Sequence, residues 1–65
     1  MTFETFKSKV QGFMRKAGVA GGVTFYQADG KHIAKFVSGE TITGNTLSKK
    51  LTVRYGSGHQ MMVAI

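Results

Sequence analysis

From Thr2 to Ala17 the apolar residues Phe3, Phe6, Val10, Phe13, Met14 and Ala17 follow at steps of 3, 4, 3, 1 and 3. That spacing keeps them on one face of a 3.6-residue period and predicts an amphipathic helix over about 2–17. Thr2 is placed to cap the first turn, Glu4 stands at the positive end of the helix dipole, and Arg15 and Lys16 stand at the negative end. Gly18 is the expected left-handed terminator, and Gly12 weakens the middle by about 1 kcal/mol relative to alanine.

Past the short connector 18–22 the period changes from 3.6 to 2. Val23 and Phe25 alternate with Thr24 and Tyr26, and the Asp29–Gly30 pair is a two-residue hairpin signal. Such a turn sets Phe25 opposite Ala34 and Val23 opposite Phe36, leaving Thr24, Tyr26, Ile33 and Lys35 on the other face. Ser38–Gly39 marks a second turn, followed by a short strand around Ile42. Residues 44–49 break the pattern and read as a loop. Leu51, Val53 and Tyr55 then alternate with Lys50, Thr52 and Arg54, and after a turn at 56–58 Met61, Val63 and Ile65 return on the apolar side. The expected strands are about 22–27, 31–37, 40–43, 50–55 and 59–65.

The fold class is therefore α+β, as one small domain over 1–65: an N-terminal amphipathic helix packed on an antiparallel β-meander of four or five strands. Phe6, Val10 and Phe13 are expected to lie against Phe25, Phe36, Val53 and Val63, with Met61 filling core and Met62 facing out. One face of such a sheet is covered and the other is wet.

Length and composition narrow this further. A chain of 65 residues buries only about 60% of its unfolded surface. It contains no cysteine, so neither a disulfide nor a cysteine-based zinc site is available to reinforce it. Absence of cysteine fits a reducing compartment, and a cytoplasmic location is expected. The apolar fraction of 42% argues against a disordered basic tail. No run approaches the ~20 apolar residues that span a bilayer, so no membrane association is expected. Lys7 and Lys9 interrupt any secretory signal. A mitochondrial-type presequence over 1–17 is disfavoured because its removal would strip the sheet of its helix.

Charge is what moves the picture from fold to function. Nine Lys or Arg face three Asp or Glu, a formal net charge of +6. The expected partners are nucleic acid or an acidic protein surface. On the helix, Lys7 and Lys9 are about 200° apart, and no helix-turn-helix, zinc-finger or zipper pattern accompanies them, so major-groove reading by this helix is disfavoured. The uncovered sheet face is the better candidate. Lys35, Lys50 and Arg54, with Lys49 nearby, would position phosphates; Tyr26 would stack a base; and Met62 would add an adaptable apolar contact.

Several other patterns lead nowhere. Gly39, Gly44 and Thr46 have P-loop spacing, but Asn45 stands where the essential lysine belongs. The Ser48-Lys49-Lys50 string is similar to one in double-stranded RNA-binding domains, yet those continue as an Ala-rich helix where Thr52–Tyr55 alternates as a strand. His32 and His59 are too few for a metal site, and neither paired carboxylates nor an oriented nucleophile is visible. No catalytic residue, cofactor or metal is expected, and the chain reads as a noncatalytic basic binding module. Two alternatives stand beside nucleic acid: a phage-type small effector or inhibitor that docks on a host protein, and a structural, oligomerising protein. An apolar final strand also suggests a homodimer through its edge.

Overall fold

The helix forms where the periodicity places it. The structure, a computed structural model, describes residues 1–46, 50–55 and 58–64, with the side chains of all of these except Tyr55, Val63 and Ala64. Helix α1 runs Phe3–Ala17; Thr2 is its N-cap, and the Thr2 hydroxyl accepts from the Thr5 N–H at 3.2 Å. Gly18 ends it at φ 66°, and its N–H donates to the Met14 carbonyl. A left-handed residue here satisfies a carbonyl that the last turn leaves open.

Five strands follow: β1 Val23–Ala28, β2 Lys31–Phe36, β3 Thr41–Asn45, β4 Lys50–Tyr55 and β5 His59–Ala64. They pair antiparallel in the order β1-β2-β3-β4-β5, a simple meander. The first hairpin has the register read from the sequence, with Phe25 opposite Ala34 and Val23 opposite Phe36. Asp29 and Gly30 take φ of 53° and 70°, the paired left-handed conformation of a type I′ turn. A Cβ on Gly30 would meet no atom closer than the Thr46 hydroxyl at 3.9 Å, so Gly30→Ala tests backbone conformation alone. It should cost about 1–2 kcal/mol and lower Tm by roughly 5–15 °C in a thermal melt.

Helix α1 covers one face of the sheet. Phe6, Val10, Ala34 and Ile42 are completely buried, and Phe36, Leu51 and Val53 complete the core. The Phe6 ring meets Phe25 edge-on at 6.3 Å between centroids. Phe13 and Phe25 are half-buried against this cluster, so the helix is anchored through its first half. The Val63 side chain lies outside the described residues.

Three expectations are corrected. Gly44 and Asn45, read as loop, extend β3, whose bounds are 41–45 and not 40–43. Gly44 faces the helix, and a Cβ there would sit 2.8 Å from a Phe6 ring carbon and 3.1 Å from a Leu51 methyl. The glycine is thus a strand residue that leaves room for Phe6. Met61 does not fill the core: it is 44% exposed, because β5 lies at the border of the sheet, away from the buried cluster centred on β2, β3 and β4. Val37 falls past the end of β2 and is 82% exposed.

His32 is buried on the covered face, tilted against Phe3 and Phe6 at 5.4 and 5.5 Å. Its Nε2 lies 3.1 Å from the Met1 carbonyl. A carbonyl can only accept, so Nε2 carries the hydrogen. Nδ1 is buried without a hydrogen-bond partner. The Met1 ammonium donates to the Thr46 carbonyl at 2.9 Å, so the segment ahead of α1 is tied both to β2 and to the residue just past the end of β3.

In the β2–β3 turn the Ser38 hydroxyl donates to the Glu40 carboxylate. That bond, with a second from the backbone N–H of Glu40, holds the carboxyl below its ordinary pKa. A lowered folded-state pKa stabilises at neutral pH, and the contribution fades as pH falls through that pKa. Ser38→Ala should move the Glu40 titration upward in an NMR pH series.

Candidate functional site

The face of the sheet opposite α1 is built from alternate residues of every strand. Register aligns them in cross-strand rows. One row runs Thr24, Lys35, Thr41, Arg54, Gln60, and the next runs Tyr26, Ile33, Thr43, Thr52, Met62. A third begins Ala28, Lys31, Asn45, with Lys50 beside Ala64 farther along. The outer rows carry the charge, and the middle row carries methyl, hydroxyl and thioether groups.

This arrangement places four cations at the corners of a rectangle. Lys31 and Lys35 are four residues apart on β2, and Lys50 and Arg54 are four apart on β4. Strand geometry makes the long side about 13–14 Å and the short side, across β3, about 9–10 Å. At physiological salt the Debye length is about 8 Å, so these corners repel one another weakly while each still attracts an anion close to it. Lys31, Lys35, Lys50 and Arg54 are all exposed.

Overlapping the rectangle and reaching past it over β5 lies a cavity of about 510 Å³, lined by residues of β2 to β5, by Ala28 at the end of β1 and by Asp29 in the β1–β2 turn. Ile33, Thr43, Thr52 and Met62 contribute from the middle row, and Lys31, Lys50 and Arg54 from the corners. Asn45 and Gln60 add side-chain amides, and Asp29 adds one carboxylate at the turn end. The volume is within the range of small-ligand sites.

Of the residues singled out from sequence, Lys50, Arg54 and Met62 come together in this cavity. Tyr26 and Lys35 lie beside it on the same face, on β1 and β2, where the Lys35 ammonium sits 5.7 Å from the Tyr26 ring centroid. One face of the tyrosine is thus already engaged in a cation–π contact. Lys49 lies outside the described residues. Sequence reasoning missed Lys31, Thr43 and Asn45. Counting back by two from Lys35 through Ile33 reaches Lys31, but its place beside the Asp29–Gly30 turn hid that alternation; Asn45 was hidden by the reading of 44–49 as a loop.

The remaining basic residues belong to the helix. Lys7 pairs with Glu4 at 3.8 Å and lies over the Phe3 ring at 4.6 Å, so part of its charge is locally engaged. Lys9, Arg15 and Lys16 are exposed on α1, on the opposite side of the molecule from the rectangle. Two separate basic surfaces result. A cavity of about 340 Å³ beside the helix takes in Arg15 and Gln11 with Met14 and Val19, whereas the larger one on the sheet gathers three cations, two amides, two hydroxyls and a carboxylate. No helix of the described residues is long and apolar enough to cross a membrane. Comparison with protein-family models, with curated proteins and with solved structures found no match to this chain.

Proposed function

We propose that the protein is a noncatalytic binding module that holds single-stranded nucleic acid on its uncovered sheet face. The observation that carries this reading is the four-cation rectangle around an apolar and hydroxyl-bearing middle row. Cations at the corners match a strand's phosphates, while the row between them offers contacts to bases and sugars. The Lys35 ammonium engages one face of the half-buried Tyr26 ring, and the proposal assigns base stacking to the other face.

Shape favours a single strand over a duplex. Five strands at about 4.8 Å spacing make a face roughly 19 Å across, too broad to enter a major groove about 12 Å wide. A duplex would meet the face only with its outer phosphates. A flexible strand can follow the face and present its bases to Ile33, Thr43, Thr52 and Met62. The same reading sets the protein in a reducing compartment such as the cytoplasm, with no cofactor and no chemistry of its own.

Fluorescence anisotropy with labelled single-stranded and duplex oligonucleotides at two salt concentrations tests the proposal. Single strands should bind more tightly than duplex, with a log–log salt slope of about −0.7 for each phosphate engaged. Tyr26→Ala should remove roughly 1–3 kcal/mol, more from single strands than from duplex. Absence of any binding at about 150 mM salt, where the Debye length is about 8 Å, would rule the reading out.

One observation favours a second reading on the same face. Met62 is 64% exposed amid the cations, a combination that also suits an acidic protein partner, as a small effector or inhibitor would have. That reading expects a specific partner retained in a pull-down after nuclease treatment, and lost on Met62→Ala without loss of oligonucleotide affinity.

A further inference from the structure

The charges of this sheet are distributed opposite to the usual defence of a sheet border. An exposed edge strand presents unpaired N–H and C=O groups, and proteins commonly protect it with lysine, proline or a bulge. Here the two border strands, Val23–Ala28 and His59–Ala64, contain no Lys, Arg, Asp or Glu and no proline. All four sheet cations stand on the interior strands β2 and β4. The two borders are not equivalent. β1 has Val23, Phe25 and Tyr26 half-buried, and Phe25 packs on Phe6 beneath the helix. On β5 every described side chain, His59 to Met62, is exposed, with Met61 on the helix side and Met62 on the cavity side.

We propose that β5 is a self-association edge, and that two copies pair antiparallel through β5 into one continuous ten-stranded sheet. A second copy is the occupant that the charge pattern selects. Two chains of formal net charge +6 repel each other across most of their surfaces, and β5 is an uncharged border at which both methionines can lose solvent. A partner of opposite charge would instead be drawn to the rectangle or to the helix.

The geometry of the pair is restricted. A two-fold axis perpendicular to the sheet keeps like faces together, so only registers that set helix-side residues opposite helix-side residues are allowed. In the two most central registers, either Met61 meets its own counterpart at the axis, with Gln60 opposite Met62, or Met62 meets its own counterpart. In both, the two cation rectangles fall on the same side of the joined sheet.

The chain has no cysteine, so a single introduced thiol reports on this contact cleanly. Met61→Cys and Met62→Cys are made separately, with Gln27→Cys on the other border as control, and each is oxidised at tens of micromolar. One of the β5 variants should give a disulfide-linked dimer at least tenfold faster than the control. Sedimentation of the parent should show a species of twice its 7.0 kDa mass. Association should tighten as salt rises, the reverse of polyanion binding, because screening relieves the repulsion between copies. Met62→Lys should return the protein to monomer while its circular-dichroism spectrum stays that of the folded parent, since the side chain is 64% exposed in the single chain. A parent that stays monomeric at hundreds of micromolar in high salt overturns the proposal. So does crosslinking at position 27 as fast as at 61 and 62, or a dimer that persists unchanged in Met62→Lys. None of these results depends on nucleic-acid binding, which is read separately by anisotropy.

Discussion

Phe6→Ala should take away a large share of the protein's stability, more than any other single truncation in the core. Phe6 is completely buried and touches the sheet through Phe25, His32 and the open backbone of Gly44. Truncating a buried phenylalanine to alanine costs about 3–5 kcal/mol. A domain of this size has a total stability of roughly 3–10 kcal/mol, so one substitution removes from about a third to all of it. Circular dichroism with a urea titration measures the loss. Phe13→Ala should cost less, since Phe13 is only half-buried. A Phe13→Ala variant less stable than Phe6→Ala would move the anchor of the helix to its second half and contradict the packing described here.

Gly44 supplies a sharper version of the same test. A methyl at this position meets the Phe6 ring at 2.8 and 3.0 Å, closer than van der Waals contact permits. Gly44→Ala should therefore cost about 1–3 kcal/mol by overpacking. Combined with Phe6→Leu, which vacates ring volume at that point, the double variant should be less destabilised than the sum of the two singles. Residues in contact commonly show couplings of about 0.5–3 kcal/mol. Additive losses would mean that the glycine is needed for some reason other than the ring.

The second large effect is expected on binding. Reversing two corners of the rectangle, Lys50→Glu with Arg54→Glu, should flatten the salt slope for single-stranded oligonucleotides by about 1.4, which is 0.7 for each of two lost phosphates. Affinity at low salt should fall by at least tenfold, across all base sequences alike. The control is a charge-matched pair on the helix, Lys9→Glu with Lys16→Glu, which alters net charge equally on the opposite surface. If attraction came only from the global charge, the two pairs would weaken binding to the same degree. The sheet-face proposal requires the β4 pair to be clearly worse.

Helix α1, its Thr2 cap, its Gly18 stop and the register of the first hairpin follow from local rules, and the chain states them openly. Each depends on residues a few positions apart: apolar spacing for the helix, and an Asp–Gly pair with alternation for the hairpin. The residues of the outer face were legible for the same reason, since a period of two assigns Tyr26, Lys35, Lys50, Arg54 and Met62 to one side once the strands are recognised. Gly44 looked like a turn residue because glycine ordinarily marks a break. Its real requirement is the ring of Phe6, 38 positions earlier, and no local window contains that contact. Met61 obeyed the alternation and still missed the core, because alternation assigns a face and cannot say how far across the sheet a 15-residue helix extends its cover. Likewise the pairing of Lys31 and Lys35 with Lys50 and Arg54 across β3 exists only after the meander is assembled. The periodicity of this chain determined its elements and the side to which each residue points; long-range packing alone decided which of those residues meet, because contact between distant segments depends on complementary shape and not on spacing along the chain.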